Sequence, residues 1–210
     1  MLKPLAAAAF LAMAGASHAA ITVYTSQATF LAAVTSPGVD TYTGFSITGG
    51  TPSPIVRTAG AYGYIASAST STFFGAGTTA NPWLSTNVAT DSISFASFTG
   101  SVSAAGGNFF GSDVNGAFAA GSVALTATDS LGATSTQTIT GATTSSFLGF
   151  VSTGAMTSLV LSAIQPGSPL WPTVDNLTLA IAGPVPEVET YAMMLAGLGA
   201  MGFMIRRRKR

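Results

Sequence analysis

The sequence predicts an all-β fold, a jelly-roll-like β-sandwich with one short N-terminal helix. Three observations predict it. From Asp91 onward apolar and small polar residues alternate with a period of two, the pattern of half-buried strands. Turn residues interrupt that pattern at intervals of roughly 8–12 residues, the spacing of sandwiches and barrels. Phenylalanines from Phe30 to Phe150 are spread through the middle of the chain, enough apolar surface for a core in a segment otherwise rich in Ala, Gly, Ser and Thr.

The elements follow in order. Ile21–Tyr24 reads as a strand. Ser26 is a helix N-cap, and Phe30, Leu31 and Val34 share one helical face that Pro37-Gly38 terminates. Thr48–Pro54 and Ala76–Pro82 read as loops, the second closed by Trp83. Alternation resumes at Ala61–Ser67, and again with Ile93 and Phe95. Val123, Leu125 and Ala127 alternate with Ala124, Thr126 and Thr128. Asp129-Ser130-Leu131-Gly132 is a turn, and Thr134, Thr136 and Thr138 mark the returning strand of a hairpin. Phe147–Val151, Ser158–Ala163 and the alternating Leu177, Leu179 and Ile181 complete about eight to ten strands. Phe73-Phe74-Gly75, Phe109-Phe110-Gly111 and Phe147-Leu148-Gly149 echo one another, which reads either as a loose repeat or as core phenylalanines beside turn glycines.

Both ends differ from the middle. Residues 1–19 have the parts of a cleavable signal peptide: Lys3, the apolar Leu5–Ala14, and small residues ending at Ala19. Signal peptidase and the general secretion machinery are the partners this implies. Residues 20–183 form the extracytoplasmic domain, and residues 184–210 are a separate signal. There Val185, Pro186, Glu187, Thr190 and Tyr191 fall in a polar motif at 185–190, with Tyr191 opening an apolar run that extends to Ile205. That run gives about 22 Å of helix at about 1.5 Å per residue, a single transmembrane helix if flanking side chains snorkel. Arg206, Arg207, Arg208, Lys209 and Arg210 then form a basic stop that holds the C-terminus in the cytoplasm. Gly197, Gly199 and Gly202 match a dinucleotide fingerprint, but no strand–helix–strand unit surrounds them and no acidic residue follows. They form instead a small-residue face of a membrane helix.

This tail resembles the PEP-CTERM sorting signal of Gram-negative bacteria that make extracellular polysaccharide, a module also called the ice-binding-protein C-terminal domain. Val185, Pro186, Glu187, Thr190, Tyr191, Leu195, Ala196, Gly197, Gly199, Gly202 and Arg206–Arg208 fit that pattern in order, and Val188 stands where a second proline is usual. The resemblance implies recognition by exosortase, a membrane cysteine peptidase, with transient anchoring in the inner membrane. Delivery to the cell surface or extracellular matrix would follow. More diffusely, Phe110-Gly111-Ser112-Asp113 and Val174-Asp175-Asn176 resemble domains found ahead of such tails, which implies a lectin-like sandwich.

Composition narrows the chemistry of the domain. Between Ile21 and Gly183 stand one cation, Arg57, and five acids, Asp40, Asp91, Asp113, Asp129 and Asp175, a net charge of −4. That segment has no His, Lys, Glu or Cys, so it offers no catalytic triad, Schiff base, thiol nucleophile or disulfide. One arginine is too little to hold nucleic acid. What is left is carboxylate acid–base work or calcium binding. Asp113 and Asn115 before Gly116, with Asp175 and Asn176, are candidate Ca²⁺ ligands, against an Asx turn as the plainer reading. Trp83, Trp171, Tyr62 and Tyr64 flank loops and are candidate sugar-stacking rings, against rings that close the core. The row Thr134, Thr136, Thr138 and Thr140 would suit an ice-binding face only if parallel rows joined it. The reading is an exported, non-enzymatic protein of structural or adhesive type in a surface or biofilm matrix. Its alternatives are a calcium-dependent carbohydrate-binding module and a carboxylate-only polysaccharide hydrolase or lyase.

Overall fold

The computed structural model describes residues 20–165, 167–184 and 197. Strand β1 (Ile21–Tyr24) runs into α1 (Gln27–Ala32), then β2 (Val34–Asp40), β3 (Gly50–Thr51), β4 (Ile55–Ala59) and β5 (Tyr62–Ala68). Next come β6 (Phe73–Gly77), β7 (Pro82–Thr86), β8 (Ser92–Ala96), β9 (Ala104–Ser112) and β10 (Phe118–Ala119). Strands β11 (Gly121–Asp129), β12 (Thr134–Ala142), β13 (Phe147–Ser152), β14 (Met156–Ile164) and β15 (Trp171–Ala182) complete the fold.

All pairing is antiparallel, in two sheets. The first runs β1-β13-β9-β15-β7-β6-β3, with β10 beside β9 and β2 beside β15. The second runs β12-β11-β14-β8-β5-β4. They face each other across one core. Ile93, Phe95, Val123, Leu125, Leu159 and Leu161 come from the second sheet, and Phe73, Leu84, Phe109, Phe150, Val174, Leu177 and Leu179 from the first. Each fully buried side chain of this size contributes about 1.5–3 kcal/mol. Among the described residues of 20–184 the chain forms the expected all-β sandwich with one short helix.

Alternation decides which side of a strand faces that core. In β13, Leu148 and Phe150 point into the sandwich, while Phe147 and Val151 point out to a second cluster with Phe30, Val34, Ala104 and Ala180. Helix α1 lies over this outer cluster, and Phe30 packs 5.4 Å from Phe147. Gly149 permits the approach, since a Cβ there would stand 2.4 Å from the Phe30 ring. Gly75 plays the same part, because its Cβ would meet Ser46 O at 2.1 Å. These glycines therefore sit inside strands β6 and β13, under covering elements, and not in turns.

Three sequence expectations are corrected. The helix stops at Ala32, Leu31 is exposed, and Val34 already opens β2. Pro37-Gly38 lies inside that strand. There Gly38 pairs with Leu179 and Thr35 with Ile181, so Ser36 and Pro37 together face one residue in a bulge, with Ser36 at φ +51. Proline is tolerated because β2 pairs on one side only. Ala76–Pro82 shrinks to a turn between β6 and β7, and Thr48–Pro54 contains β3.

The two ends of the domain are both anchored by backbone bonds. Thr153 N donates to Ala20 O at 3.2 Å, and Gly183 N to Ala33 O at 2.8 Å. Ser103 ties the regions together, donating its N–H to Ala180 O and accepting from Ala182 N on its Oγ at 2.7 Å.

Candidate functional site

The four candidate calcium ligands do not converge. Asp113 lies in the turn between β9 and β10, where its Oδ1 accepts from Asn115 N at 2.8 Å and Ala117 N at 2.9 Å. Gly116 turns the chain at φ +76. This is the Asx turn. Asp175 lies in β15 opposite Asn108, at a bulge where Asn176 adopts φ +53 and its Nδ2 donates to Asn108 Oδ1 at 3.4 Å. Asn108 and Asp113 are five residues apart along β9, about 17 Å at about 3.3 Å per residue. Among the described residues no group of three or more His, Cys, Asp or Glu could hold a metal ion.

The candidate stacking rings separate in the same way. Tyr62 and Tyr64, at 4% and 1% exposure, belong to the core, because alternate residues of β5 face inward. Tyr62 donates its hydroxyl to Ser36 O at 2.8 Å and Tyr64 to Asp40 Oδ2 at 2.6 Å. Neither can stack on a sugar. Trp83 leans edge-on against Phe110 at 4.9 Å, with its Nε1 buried and unbonded among the described residues. Trp171 is half-exposed, and its orientation is fixed by an Nε1 bond to Asn87 O at 3.3 Å.

Trp171 and Asp113, drawn from different candidate sets, do meet. Both line a cleft of about 70 Å³ with Asn87, Ser85, Ser112 and Phe74, where β15 begins and β9 ends. At about 30 Å³ per water the cleft holds a couple of waters, or one or two hydroxyls of a larger ligand. Asp113 Oδ2 takes no hydrogen bond among the described residues. Ser85, Ser112 and Thr173 form a buried hydroxyl triad beside the cleft. Thr173 Oγ1 lies 2.8 Å from Ser112 Oγ and 3.2 Å from Ser85 Oγ, and Ser85 donates to Pro172 O at 3.0 Å. Each hydroxyl has one proton. With Ser85's on Pro172 and Thr173's on Ser112, the Ser112 proton has only Ser85 Oγ at 3.4 Å as an internal acceptor. Ser112, which lines the cleft, is thus the least committed donor of the three. Sequence reading missed the triad, because nothing marks three hydroxyls among so many Ser and Thr.

The signal peptide, the sorting motif, the transmembrane helix and the basic stop lie outside the described residues, and no helix among those described is long and apolar enough to cross a membrane. A family model, the PEP-CTERM protein-sorting motif, matches residues 184–209. The chain carries a PEP-CTERM sorting motif. That motif implies an exported protein, sorted at the membrane by an exosortase-type peptidase. No curated protein and no solved structure matches the chain.

In the domain ahead of this PEP-CTERM motif most aspartates are bonded by the fold itself. Asp40 accepts two bonds from Arg57 at 2.6 and 2.7 Å, one from the Tyr64 hydroxyl, and one from Tyr42 N at 2.8 Å. The Arg57 guanidinium lies 5.0 Å from the Tyr42 ring centre and 5.8 Å from that of Phe45. Burial, and then the Asp40 charge, raises the Tyr64 pKa well above the phenol range. Asp91 sits among Ser69, Thr70 and Ser71; burial pushes its pKa up, but the hydroxyls outweigh that and hold it low. Asp129 caps the β11–β12 hairpin through Leu131 N and Ala133 N, and is held low chiefly by the Ser152 hydroxyl at 2.5 Å. Asp175 is the exception: burial raises its pKa against weaker help from Asn176 N and the Asn81 side chain.

Proposed function

We propose that the domain is a structural or adhesive component of the cell surface or extracellular polysaccharide matrix, released there after exosortase-type processing, and that it is not an enzyme. The observation that carries this reading is the sorting motif on a domain whose carboxylates are mostly occupied by the chain's own donors. A glycosidase needs two carboxylates free to face one glycosidic bond. Asp40, Asp91 and Asp129 are each bonded to several internal partners. The test is a pulse-chase of the full chain in cells with and without an exosortase. Loss of the tail and appearance in the matrix fraction should require the peptidase and should fail in a Pro186→Ala, Glu187→Ala variant. Turnover of matrix polysaccharide by the purified protein would count against a non-enzymatic role.

A carbohydrate-binding role is favoured by one observation, the cleft joining the fixed Trp171 ring to Asp113 Oδ2 and the Ser112 hydroxyl. A ring that stacks beside an acceptor and a donor is the chemistry a saccharide end requires. A glycan array read with and without a chelator separates this from a calcium-dependent module.

A further inference from the structure

Strand β12 has no hydrogen-bonded neighbour on its far side among the described residues, since it pairs with β11 alone. Open edges invite another chain, and folds blunt them with charge, proline, bulges or brevity. The other outer strands are blunted. β1 has four residues and β3 two; β2 carries the Pro37 bulge; β4 follows Pro54 and holds Arg57. By contrast β12 spans nine residues, Thr134–Ala142, without a charge or a proline, and runs in unbroken register against β11 from Thr134 to Ile139, bulging only at its end, where Thr140 and Gly141 face Ser122.

We propose that β12 is a self-association edge, on which a second copy of this chain adds its own β12 antiparallel. The two six-stranded sheets would then join into one across a two-fold axis. The edge is self-complementary. Reversal about Gln137 sets Thr136 opposite Thr138 within the unbroken register and brings Thr134 to the level of Thr140, where the strand bulges, so the exposed threonine row meets itself near its centre. The chain already makes this contact internally, with Thr126 Oγ1 of β11 2.9 Å from Thr136 Oγ1. An uncharged strand also adds no repulsion of its own between two domains of net charge −4. The threonine row thus serves pairing between copies.

The chain has no cysteine, so single introduced ones report proximity directly. Thr136→Cys, Gln137→Cys and Thr138→Cys are made in the full chain, purified in detergent, alongside Val56→Cys on β4 as the control edge. A disulfide needs Cα atoms within about 7 Å, which only residues beside the two-fold axis satisfy. The expected result is an oxidised dimer at one of the three β12 positions and none at Val56→Cys. The dimer should be lost when Thr134→Lys and Thr140→Lys are added, with the circular dichroism spectrum and melting curve unchanged. Absence of the dimer at all three positions, equal cross-linking at Val56→Cys, or persistence with both lysines present would overturn the proposal.

Discussion

Arg57 grips Asp40 with two parallel hydrogen bonds, Nε to Oδ2 at 2.6 Å and Nη2 to Oδ1 at 2.7 Å. The only cation between Ile21 and Gly183 is therefore committed to holding β4 against the end of β2. Removing one partner leaves the other charge stranded in a largely desolvated site. Arg57→Met should lower stability by about 3–5 kcal/mol, while Arg57→Met with Asp40→Leu and Tyr64→Phe should recover part of the loss. Urea unfolding midpoints measure both; equal midpoints for wild type and Arg57→Met would refute the pairing's importance.

Two aspartates should respond to pH in opposite directions. The folded pKa of Asp129 lies below its unfolded value of about 3.9, so its stabilisation is complete above that value and is lost as pH falls through the folded pKa. Asp129→Asn should lower the urea midpoint at pH 7, and the deficit should shrink in acid. The folded pKa of Asp175 is raised, so its charge destabilises the fold at neutral pH, and protonation relieves this as pH falls through the folded value. Asp175→Asn should raise the midpoint at pH 7, and that gain should fade in acid. Parallel pH profiles for the two variants would contradict the assignment.

At Gly149 the prediction concerns packing. A methyl group there overlaps the Phe30 ring, which is fully buried under α1. Gly149→Ala should cost about 1–3 kcal/mol by overpacking. Phe30→Ala should cost about 3–5 kcal/mol, and the double variant clearly less than the sum. A double-mutant cycle with no coupling would mean that α1 does not rest on β13.

Trp171→Ala should reduce co-sedimentation of the protein with its producer's matrix polysaccharide, at a stability cost of about 1 kcal/mol for the lost Nε1 bond to Asn87 O. Tyr62→Phe should match that cost without the binding loss. It removes the hydroxyl bond to Ser36 O, worth about 1 kcal/mol, and leaves polysaccharide retention intact.

What the sequence made legible was local. The β11–β12 hairpin was plain because one face of β11 is apolar and buried while the other is threonine-rich, and Asp129 signals the turn between the strands. β9 escaped because Ala104–Ser112 is buried on both faces almost throughout, which removes alternation. β2 escaped because Pro37-Gly38 signals a turn equally well whether it ends a helix or bulges an outer strand. Strand order could not be read at all: β15 pairs with β9, β7 and β2, and periodicity carries no information about partners. The same limit divided the site. Trp171 was identifiable as a candidate, but its companion Ser112 was one serine among many. Tyr62 and Tyr64 looked like rim residues until the register of β5 turned them inward.

The anchoring of Ala20 to Thr153 and of Gly183 to Ala33 has a consequence for maturation. Every ladder among the described residues lies between Ala20 and Gly183, so scission upstream of Ala20 or downstream of Gly183 severs none of those pairings. A peptidase working at either flank therefore leaves the sandwich's own pairings whole, and trimming there need not loosen the body it releases.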